Sequence, residues 1–157
     1  MKPVPKIDIA QSWHIRHIVE NVREADRIEL WAAACMTPGD VLLESLRRAE
    51  EAYTGLVDDI PVCMFGVMNG APMSGVGIPW MVGTKHLDKY AVLFLRRCGP
   101  VVAAMADHYK VLRNYVDARN TRAIRWLKWL GFDIHEAVPY GPFHLPFHPF
   151  EMRGNHV

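Results

Sequence analysis

The sequence predicts an α/β fold with a mixed, largely antiparallel sheet of about six strands flanked by helices. Three observations support this prediction. Apolar residues recur at helical spacing through the first third of the chain, runs of strand formers separated by turn residues follow, and a strand, helix and strand pattern lies between residues 111 and 132. A chain of 157 residues has room for one domain, 1–157, and not for a second core.

The composition excludes several classes of protein. Lys and Arg total 18 and Asp and Glu total 17, so the net charge of +1 lacks the basic excess of nucleic-acid binders. We therefore expect no nucleic-acid partner. The longest apolar runs are too short to span a bilayer, so no membrane partner is expected either. Three scattered cysteines without a preceding secretory signal favour a reducing compartment.

Three helices are predicted in the first part of the chain. The first has Ser12 as its cap and an apolar stripe at helical spacing behind it. The second begins at Asp26 with Glu29 three residues later, a pair of acids able to satisfy free amides at a helix start. The third begins behind the capping hydroxyl of Thr37 and ends near Tyr53.

An antiparallel meander and a long helix are predicted next. Runs of strand formers separated by turn residues predict three adjacent strands over Tyr53 to Val57, Ile60 to Val67 and Ile78 to Gly83. The apolar stretch from Tyr90 to Tyr109 favours one long helix, kinked at Gly99-Pro100.

The segment from Val111 to Phe132 predicts a strand, a helix capped by Asp117 or Asn120, a stop at Gly131 and an extended region behind it. This segment resembles the signature of the GNAT acyltransferase superfamily, and the order of the other predicted elements fits the same fold. The residues that carry the resemblance are Val116, Asn120, Ala123, Ile124, Gly131 and Phe132.

The resemblance implies an acyl-CoA-dependent N-acyltransferase. In that family the pantetheine arm pairs with the backbone of a strand, and here the matching residues are Trp80, Met81 and Val82. The loop behind that strand would meet the phosphates through Thr84 and Lys85. The helix-starting asparagine of the signature, Asn120, completes the implied cofactor site.

The sequence departs from the family at three parts of the site. A glycine-rich turn normally cradles the pyrophosphate, but Gly83 is the only glycine in the corresponding stretch, Gly83 to Asp88. The tyrosine that usually protonates the leaving thiolate is replaced by Leu127. The strand from Ile78 to Thr84 contains no acid to deprotonate an amine. These departures predict a degenerate acyltransferase site with unknown catalytic residues.

A narrower resemblance favours a different function. Phe65 to Val67, Trp80 to Thr84 and Asn114 to Phe132 resemble a GNAT-like branch of short-tailed bacteriophages that includes internal virion proteins. Our main hypothesis is therefore a phage virion or accessory protein that contacts other phage proteins, needs no cofactor, and occurs in the bacterial host cytoplasm or the virion. The alternative is an N-acyltransferase that uses acetyl-CoA. Oligomerisation is left open.

A candidate partner-binding face lies on the helix behind Asn120. Helical rotation places Arg122, Arg125 and Trp129 opposite the apolar face of that helix. Tryptophan and arginine are common anchors of protein interfaces. The competing interpretation is a surface cation–π pair between Arg125 and Trp129, which are four residues apart.

The tail carries regularly spaced aromatic residues and two histidines. Phe143, Phe147 and Phe150 suit either an interface with a neighbouring molecule or the completion of the chain's own sheet. His144 and His148 have the spacing of two zinc ligands on one helix, but a proline between them prevents that helix. No metal site is expected.

Overall fold

The computed structural model describes residues 2–155, which form a mixed sheet of eight strands with helices on both faces. The elements in chain order are β1 Pro5–Ile9, α1 Ser12–Glu20, α2 Glu24–Ala34, α3 Pro38–Arg48, β2 Ala49–Val57, β3 Ile60–Asn69, β4 Val76–Gly83, a 3₁₀ helix Lys85–Tyr90, α4 Ala91–Asp107, β5 Val111–Asp117, α5 Thr121–Leu130, β6 Asp133–Ile134, β7 Val138–Tyr140 and β8 Leu145–Arg153.

The strand order is β1-β2-β3-β4-β5-β8-β6, and β7 also pairs with β8. All neighbouring strands are antiparallel except β4 and β5, which are parallel. This arrangement confirms the predicted fold class and the antiparallel meander of β2, β3 and β4. It also corrects the expected number of strands, because the sheet has eight strands instead of about six.

The strand missed at the beginning of the chain is β1. No element is predicted before Ser12, but β1 is an edge strand there, and its residues pair with β2 from Pro5↔Val57 to Ile9↔Tyr53. A proline is tolerated in an edge strand when its missing N–H would have faced away from the neighbouring strand.

The predicted helix boundaries need three corrections. The N-cap of α1 is Gln11 instead of Ser12, and its backbone N–H donates to Nδ1 of His14 at 3.0 Å. Helix α2 begins at Glu24, so Asp26 lies inside the helix. Helix α3 ends at Arg48, well before Tyr53, because the chain enters β2 and pairs with both β1 and β3.

The sheet separates two apolar cores. Helices α4 and α5 cover one face, where fully buried side chains such as Phe94, Met105 and Leu112 pack together. Helices α1 and α3 cover the other face, where Ile18 and Leu42 pack with residues of β3 and β4. Helix α4 runs uninterrupted through Pro100. No helix within residues 2–155 is long and apolar enough to cross a membrane.

Strand β8 places most of the aromatic tail inside the chain's own core. Phe147 and Phe150 are buried, and Phe150 contacts Phe132 edge-to-face with ring centroids 5.2 Å apart. Of the two interpretations of the tail, completion of the chain's own sheet is therefore confirmed for these two phenylalanines, because β8 lies between β5 and β6. Phe143 lies in the turn before β8 and is exposed.

Candidate functional site

The two parallel strands β4 and β5 are paired only at their first residues. Val76 pairs with Val111 and Gly77 with Leu112, and the strands then diverge. The side chain of Asn114 bridges the narrow end of the gap by donating from Nδ2 to the backbone oxygen of Pro79 at 2.7 Å. Beyond that bridge, no strand within residues 2–155 covers the edge of β4 that faces β5.

The uncovered edge of β4 presents one residue's backbone groups to the gap. Successive residues of an antiparallel strand direct their N–H and C=O groups alternately to either side. Gly83 directs both groups away from β3, because its N–H donates to Asp26 at 2.8 Å and its C=O accepts from the N–H of Arg23 at 2.9 Å. Pro79 also directs its C=O away from β3. Met81 lies midway between them, so its N–H and C=O point into the gap.

A cavity of about 230 Å³ lies in this gap and continues below it between α4 and α5. Its wall is mostly apolar, and most of its polar side chains come from α2 and the preceding Arg23, from β5 and from β7. The only hydroxyl groups among its lining side chains belong to Tyr115 and Tyr140, whose rings stack at a centroid distance of 4.0 Å. The remaining polar side chains of the wall are Arg23, Asp26, Glu29 and Asn114.

Helix α2 crosses the wide end of the gap and joins the ends of the two strands through two acids. Asp26 accepts from the N–H of Gly83 at the end of β4. Glu29, one helical turn later, accepts through Oε1 from the N–H of Asp117 at the end of β5, at 2.6 Å. These carboxylates therefore satisfy backbone donors that the divergence of the strands leaves unpaired.

Asp26 is the centre of a buried polar cluster. Its Oδ1 accepts from Nη1 of Arg23 at 3.1 Å and from Nδ2 of Asn120 at 3.3 Å. The guanidinium of Arg23 also lies over the ring of Trp126, 4.9 Å from its centroid. Burial raises the pKa of Asp26, while Arg23 and the N–H of Gly83 oppose that shift by favouring the charged form.

Glu29 has the most strongly shifted carboxyl group beside the cavity. Burial raises its pKa from 4.5 to about 8, against the opposing effect of the hydrogen bond from the N–H of Asp117. The neighbouring carboxylates of Asp26 and Asp117 raise it further. A carboxyl group with such a pKa exchanges its proton near neutral pH, which is the property that general acid–base chemistry needs.

The loop behind β4 contains no glycine after Gly83. It forms a 3₁₀ helix, in which Asp88 makes ion pairs with Arg122 and, at 3.4 Å, with Arg23. Thr84 is fully buried and donates its hydroxyl to the backbone oxygen of Val62 at 2.8 Å. The exposed Lys85 begins the 3₁₀ helix. Two arginines and two lysines, Lys85 and Lys89, therefore lie in or beside this loop, and Asp88 neutralises part of their charge.

Comparison with solved structures identifies the architecture. The Ard1 structure from Thermoplasma volcanium matches with a TM-score of 0.72 at 15% identity, covering 96% of this chain and 97% of that one. An N-acetyltransferase from Staphylococcus aureus Mu50 matches with a TM-score of 0.70 at 15% identity over 96% and 98% of the two chains. The fold is that of the GNAT N-acetyltransferases. No protein-family model and no curated protein matches the sequence.

A third GNAT neighbour was solved with ligands. The aminoglycoside acetyltransferase AAC(6')-Ib, in complex with coenzyme A and kanamycin, matches with a TM-score of 0.67 at 15% identity, covering 96% of this chain and 95% of that one. At such identities the likeness shows the GNAT fold, and the activity has to be argued from this chain's own residues.

The structure brings some of the predicted cofactor residues together and separates others. Trp80 and Met81 lie beside the cavity, but Trp80 also packs, with the buried Val82, in the core next to α1 and α3. Thr84 and Asn120 are already engaged, since Asn120 bonds to Asp26 and accepts from the N–H of Ala123 at 3.4 Å as the N-cap of α5. The indole Nε1 of Trp80 is buried and has no hydrogen-bond partner within residues 2–155.

The predicted partner face is only partly free. Arg122 is held by Asp88, while Arg125 and Trp129 are exposed. Over the described part of the chain, the cation–π contacts are Arg23 with Trp126 and Lys89 with Tyr90, so the pair between Arg125 and Trp129 does not form.

The sequence interpretation missed the role of Asp26 and Glu29. Both had been assigned to a helix start, but they lie on the face of α2 that lines the cavity, together with Leu30 and Ala33. Acids that share a helix face with apolar residues were the available signal, since solvated acids usually lie on the opposite face. Within residues 2–155, no group of three or more His, Cys, Asp and Glu side chains could hold a metal ion.

Proposed function

We propose that this protein is an acyl-CoA-dependent N-acyltransferase. The observation that carries the proposal is the backbone of Met81, whose N–H and C=O point into the gap between β4 and β5 above an apolar cavity of about 230 Å³. An extended amide-containing chain can pair with such an edge as an additional strand. The likeness to GNAT structures, one of them solved with coenzyme A, supports the same proposal.

The residues of the gap fit the pantetheine arm of acyl-CoA better than the sequence departures suggested. Met81 supplies one donor and one acceptor on the uncovered edge, which allows one backbone pairing with an amide of the arm. Neither Trp80 nor Val82 presents its backbone to the gap, because these residues alternate with Met81 and face β3. We therefore reduce the proposed backbone contact to Met81.

The phosphate end would depend on side-chain charge instead of a glycine cradle. Lys85 and Arg122 flank the 3₁₀ helix behind β4, and Arg122 is partly exposed although it is paired with Asp88. Guanidinium and ammonium groups bind phosphate oxygens strongly without glycines. A diphosphate would compete with Asp88 for Arg122, which lowers the expected affinity.

The proton of the amine would be accepted by Glu29. Acyl-CoA supplies an activated acyl thioester, and the attacking nitrogen must lose a proton before the new amide is neutral. Glu29 borders the cavity, and its Oε1 accepts from the N–H of Asp117. Because the pKa of Glu29 is about 8, the fraction of Glu29 that is deprotonated, and can therefore accept a proton, increases as the pH rises toward 8. The hydroxyl groups of Tyr115 and Tyr140 are the candidate proton donors for the leaving thiolate, because Leu127 replaces the usual tyrosine.

Isothermal titration calorimetry with acetyl-CoA tests this proposal. We expect saturable binding by the wild-type protein, strong weakening in Met81→Pro, which removes the N–H, and near wild-type binding in Met81→Ala, which keeps it. The proline is tolerable because this N–H faces away from β3. A folded wild-type protein that does not bind acetyl-CoA, or equal binding by both variants, contradicts the proposal.

The role of Glu29 is tested by the rate of acyl transfer. Glu29→Gln should slow acyl transfer from acetyl-CoA without weakening the binding of acetyl-CoA.

A second proposal keeps the contact role first inferred for α5. Trp129 is 55% exposed on a surface helix, which is unusual for a residue of its size. We propose that Arg125 and Trp129 contact another protein. The proposal that this partner is a virion or other phage protein, in a bacterial host, rests only on sequence resemblance. The segments that carry this resemblance are Phe65 to Val67, Trp80 to Thr84 and Asn114 to Phe132. Co-purification of the chain with virions in a fixed ratio tests this assignment.

A further inference from the structure

The outer edge of β1 presents unpaired backbone groups at alternate residues. The backbone N–H of Asp58 donates to the C=O of Val4, and the backbone N–H of Ala10 donates to the C=O of Ala52, both at 3.0 Å. The backbone groups of the even-numbered residues of this segment therefore face β2. The odd-numbered residues Pro5, Ile7 and Ile9 therefore direct their backbone groups outward. The N–H of Ile9 donates only to its own neighbour, Oδ1 of Asp8, at 3.1 Å. Within residues 2–155 no strand covers this edge.

The side chains of β1 form a charge pattern that is complementary to itself. Lys6 and Asp8 lie on either side of Ile7, are both about half exposed, and make an ion pair with each other at 3.1 Å. If two copies of β1 run antiparallel with Ile7 opposite Ile7, then Lys6 of each copy lies opposite Asp8 of the other. Opposite charges at directly facing positions stabilise a strand pair, whereas like charges there destabilise it.

We propose that two copies of this chain associate through antiparallel pairing of their β1 strands, centred on Ile7. The backbone agrees with this register, because Ile7 directs both its N–H and its C=O outward and would exchange two hydrogen bonds with its counterpart. The N–H of Ile9 would donate to the C=O of Pro5 in the other copy, giving two further bonds. The result is a continuous sheet of sixteen strands, twice the eight of one chain.

Pro5 and Lys6, which would discourage pairing of β1 with most other strands, are compatible with pairing to the β1 strand of a second copy. Proline and lysine on an edge discourage pairing with arbitrary strands. In the proposed register Pro5 has to accept but not to donate, and Lys6 meets a carboxylate, so neither residue obstructs a second copy. Val4 is 65% exposed and Ile9 is 66% exposed, so apolar surface is available at both ends of the strand. A partner strand without an acid opposite Lys6 would lack this match.

The dimer should be reversible. Stable dimers bury about 1,200–2,000 Å² in total, and a pair of five-residue strands buries less. We therefore expect dissociation in the range of roughly 10 µM to 1 mM, corresponding to about −7 to −4 kcal/mol of association free energy. Sedimentation equilibrium up to about 1 mM protein covers this range, and a wild-type chain that remains monomeric throughout overturns the proposal.

Charge reversal tests the register. Asp8→Lys and Lys6→Asp each place two like-charged pairs in the homodimer, and each should weaken association by about tenfold or more. A mixture of the two variants should form a heterodimer, because every facing pair is then opposite in charge. The double variant Lys6→Asp/Asp8→Lys should again form a homodimer. Failure of both the mixture and the double variant to recover association, with melting curves showing folded protein, contradicts the register and the proposal.

A backbone variant provides a second test at the centre of the interface. Ile7→Pro removes the outward N–H and leaves the hydrogen bonds to β2 intact, while Ile7→Val keeps the N–H and serves as the matched control. We expect Ile7→Pro to abolish the dimer and Ile7→Val to preserve it. Equal dimerisation of both variants would place the interface elsewhere and overturn the proposal. If Ile7→Pro melts far below the wild type, the charge variants decide alone.

Discussion

The two ends of the gap between β4 and β5 are closed by different means. At the narrow end the strands pair through their backbones, and one side chain, Asn114, extends the closure by a single hydrogen bond to Pro79. At the wide end the strands are too far apart to pair, and helix α2 inserts Asp26 and Glu29, which accept from the N–H groups of Gly83 and Asp117.

This difference indicates where the cavity can change. Closure by backbone pairing is part of the sheet and opens only with the sheet itself. Closure by carboxylates depends on charge, burial and the position of one helix, so it responds to pH and to competing anions. The narrow end is therefore rigid and holds Met81 in place. The wide end can adjust, and the charged residues Lys85 and Asp88 of the loop behind β4 lie there.

The largest effect in a test of this comparison is expected from Asp26→Ala. The substitution leaves Arg23, Asn120 and the N–H of Gly83 without their shared acceptor. Removing one partner of a buried ion pair costs about 3–5 kcal/mol, and urea unfolding measures the loss. Asp26→Asn keeps one acceptor oxygen and should lose less. If Asp26→Ala changes stability by less than 1 kcal/mol, roughly the value of one ordinary hydrogen bond, then the acids of α2 do not close the wide end.

The next effect is a pH dependence that arises from Glu29. Its folded pKa of about 8 lies above the unfolded value of 4.5, so the folded state holds the proton more tightly. The stability that this proton contributes is complete below the unfolded pKa and is lost as the pH rises through 8. From pH 5 to pH 8 we expect a loss of roughly 3–4 kcal/mol from this group.

Glu29→Gln is the variant that isolates this contribution. Glutamine resembles the protonated acid and can still accept from the N–H of Asp117, so its unfolding free energy should vary less between pH 5 and pH 8 than that of the wild type. The two proteins differ only at residue 29, so the difference between the two profiles reports the effect of Glu29. Parallel profiles would show that Glu29 has an ordinary pKa.

The local signals of α5 could be predicted from the sequence much better than the long-range contacts at either end of the gap. The capping side chain of Asn120 bonds to a residue three positions away, and Gly131 ends α5 with a φ of 104°, so both signals are local. Asp26 and Glu29 bond to residues 57 and 88 positions away in the sequence. Only the folded sheet brings those partners together, and a local pattern therefore identified these acids as a helix start.

The strands show the same division. The meander β2–β3–β4 follows from alternation and turn residues, which act over short distances. Strand β1 pairs with β2 through contacts that span more than forty residues, from Ile9↔Tyr53 outward. Its short run of strand formers is interrupted by Lys6 and Asp8, so composition alone could not separate it from an irregular segment. The edge position explains why the charges are retained.

At the narrow end, Asn114→Ala should have a moderate effect. The variant loses the hydrogen bond from Nδ2 to the oxygen of Pro79, and one such bond is worth about 1 kcal/mol. Arg113→Ala, the neighbouring exposed position, removes only a surface ion pair with Glu151 and should change stability by less than about 0.5 kcal/mol. Denaturant unfolding of both variants gives the comparison. Equal values would mean that backbone pairing alone sets the narrow end.

The smallest effect on stability is expected from Trp129→Ala, on the face of α5 directed away from the cavity. Trp129 is 55% exposed and does not stack on Arg125, so its removal should change the unfolding free energy by less than about 0.5 kcal/mol. Trp126→Ala is the matched control on the same helix, because Trp126 lines the cavity and lies under Arg23. Truncation of a well-packed tryptophan costs about 3–5 kcal/mol. If Trp129→Ala loses as much stability as Trp126→Ala, Trp129 is a core residue and the reason for assigning it to an interface is removed. If Trp129→Ala melts like the wild type but no longer co-purifies with virions, the result supports the contact role of α5.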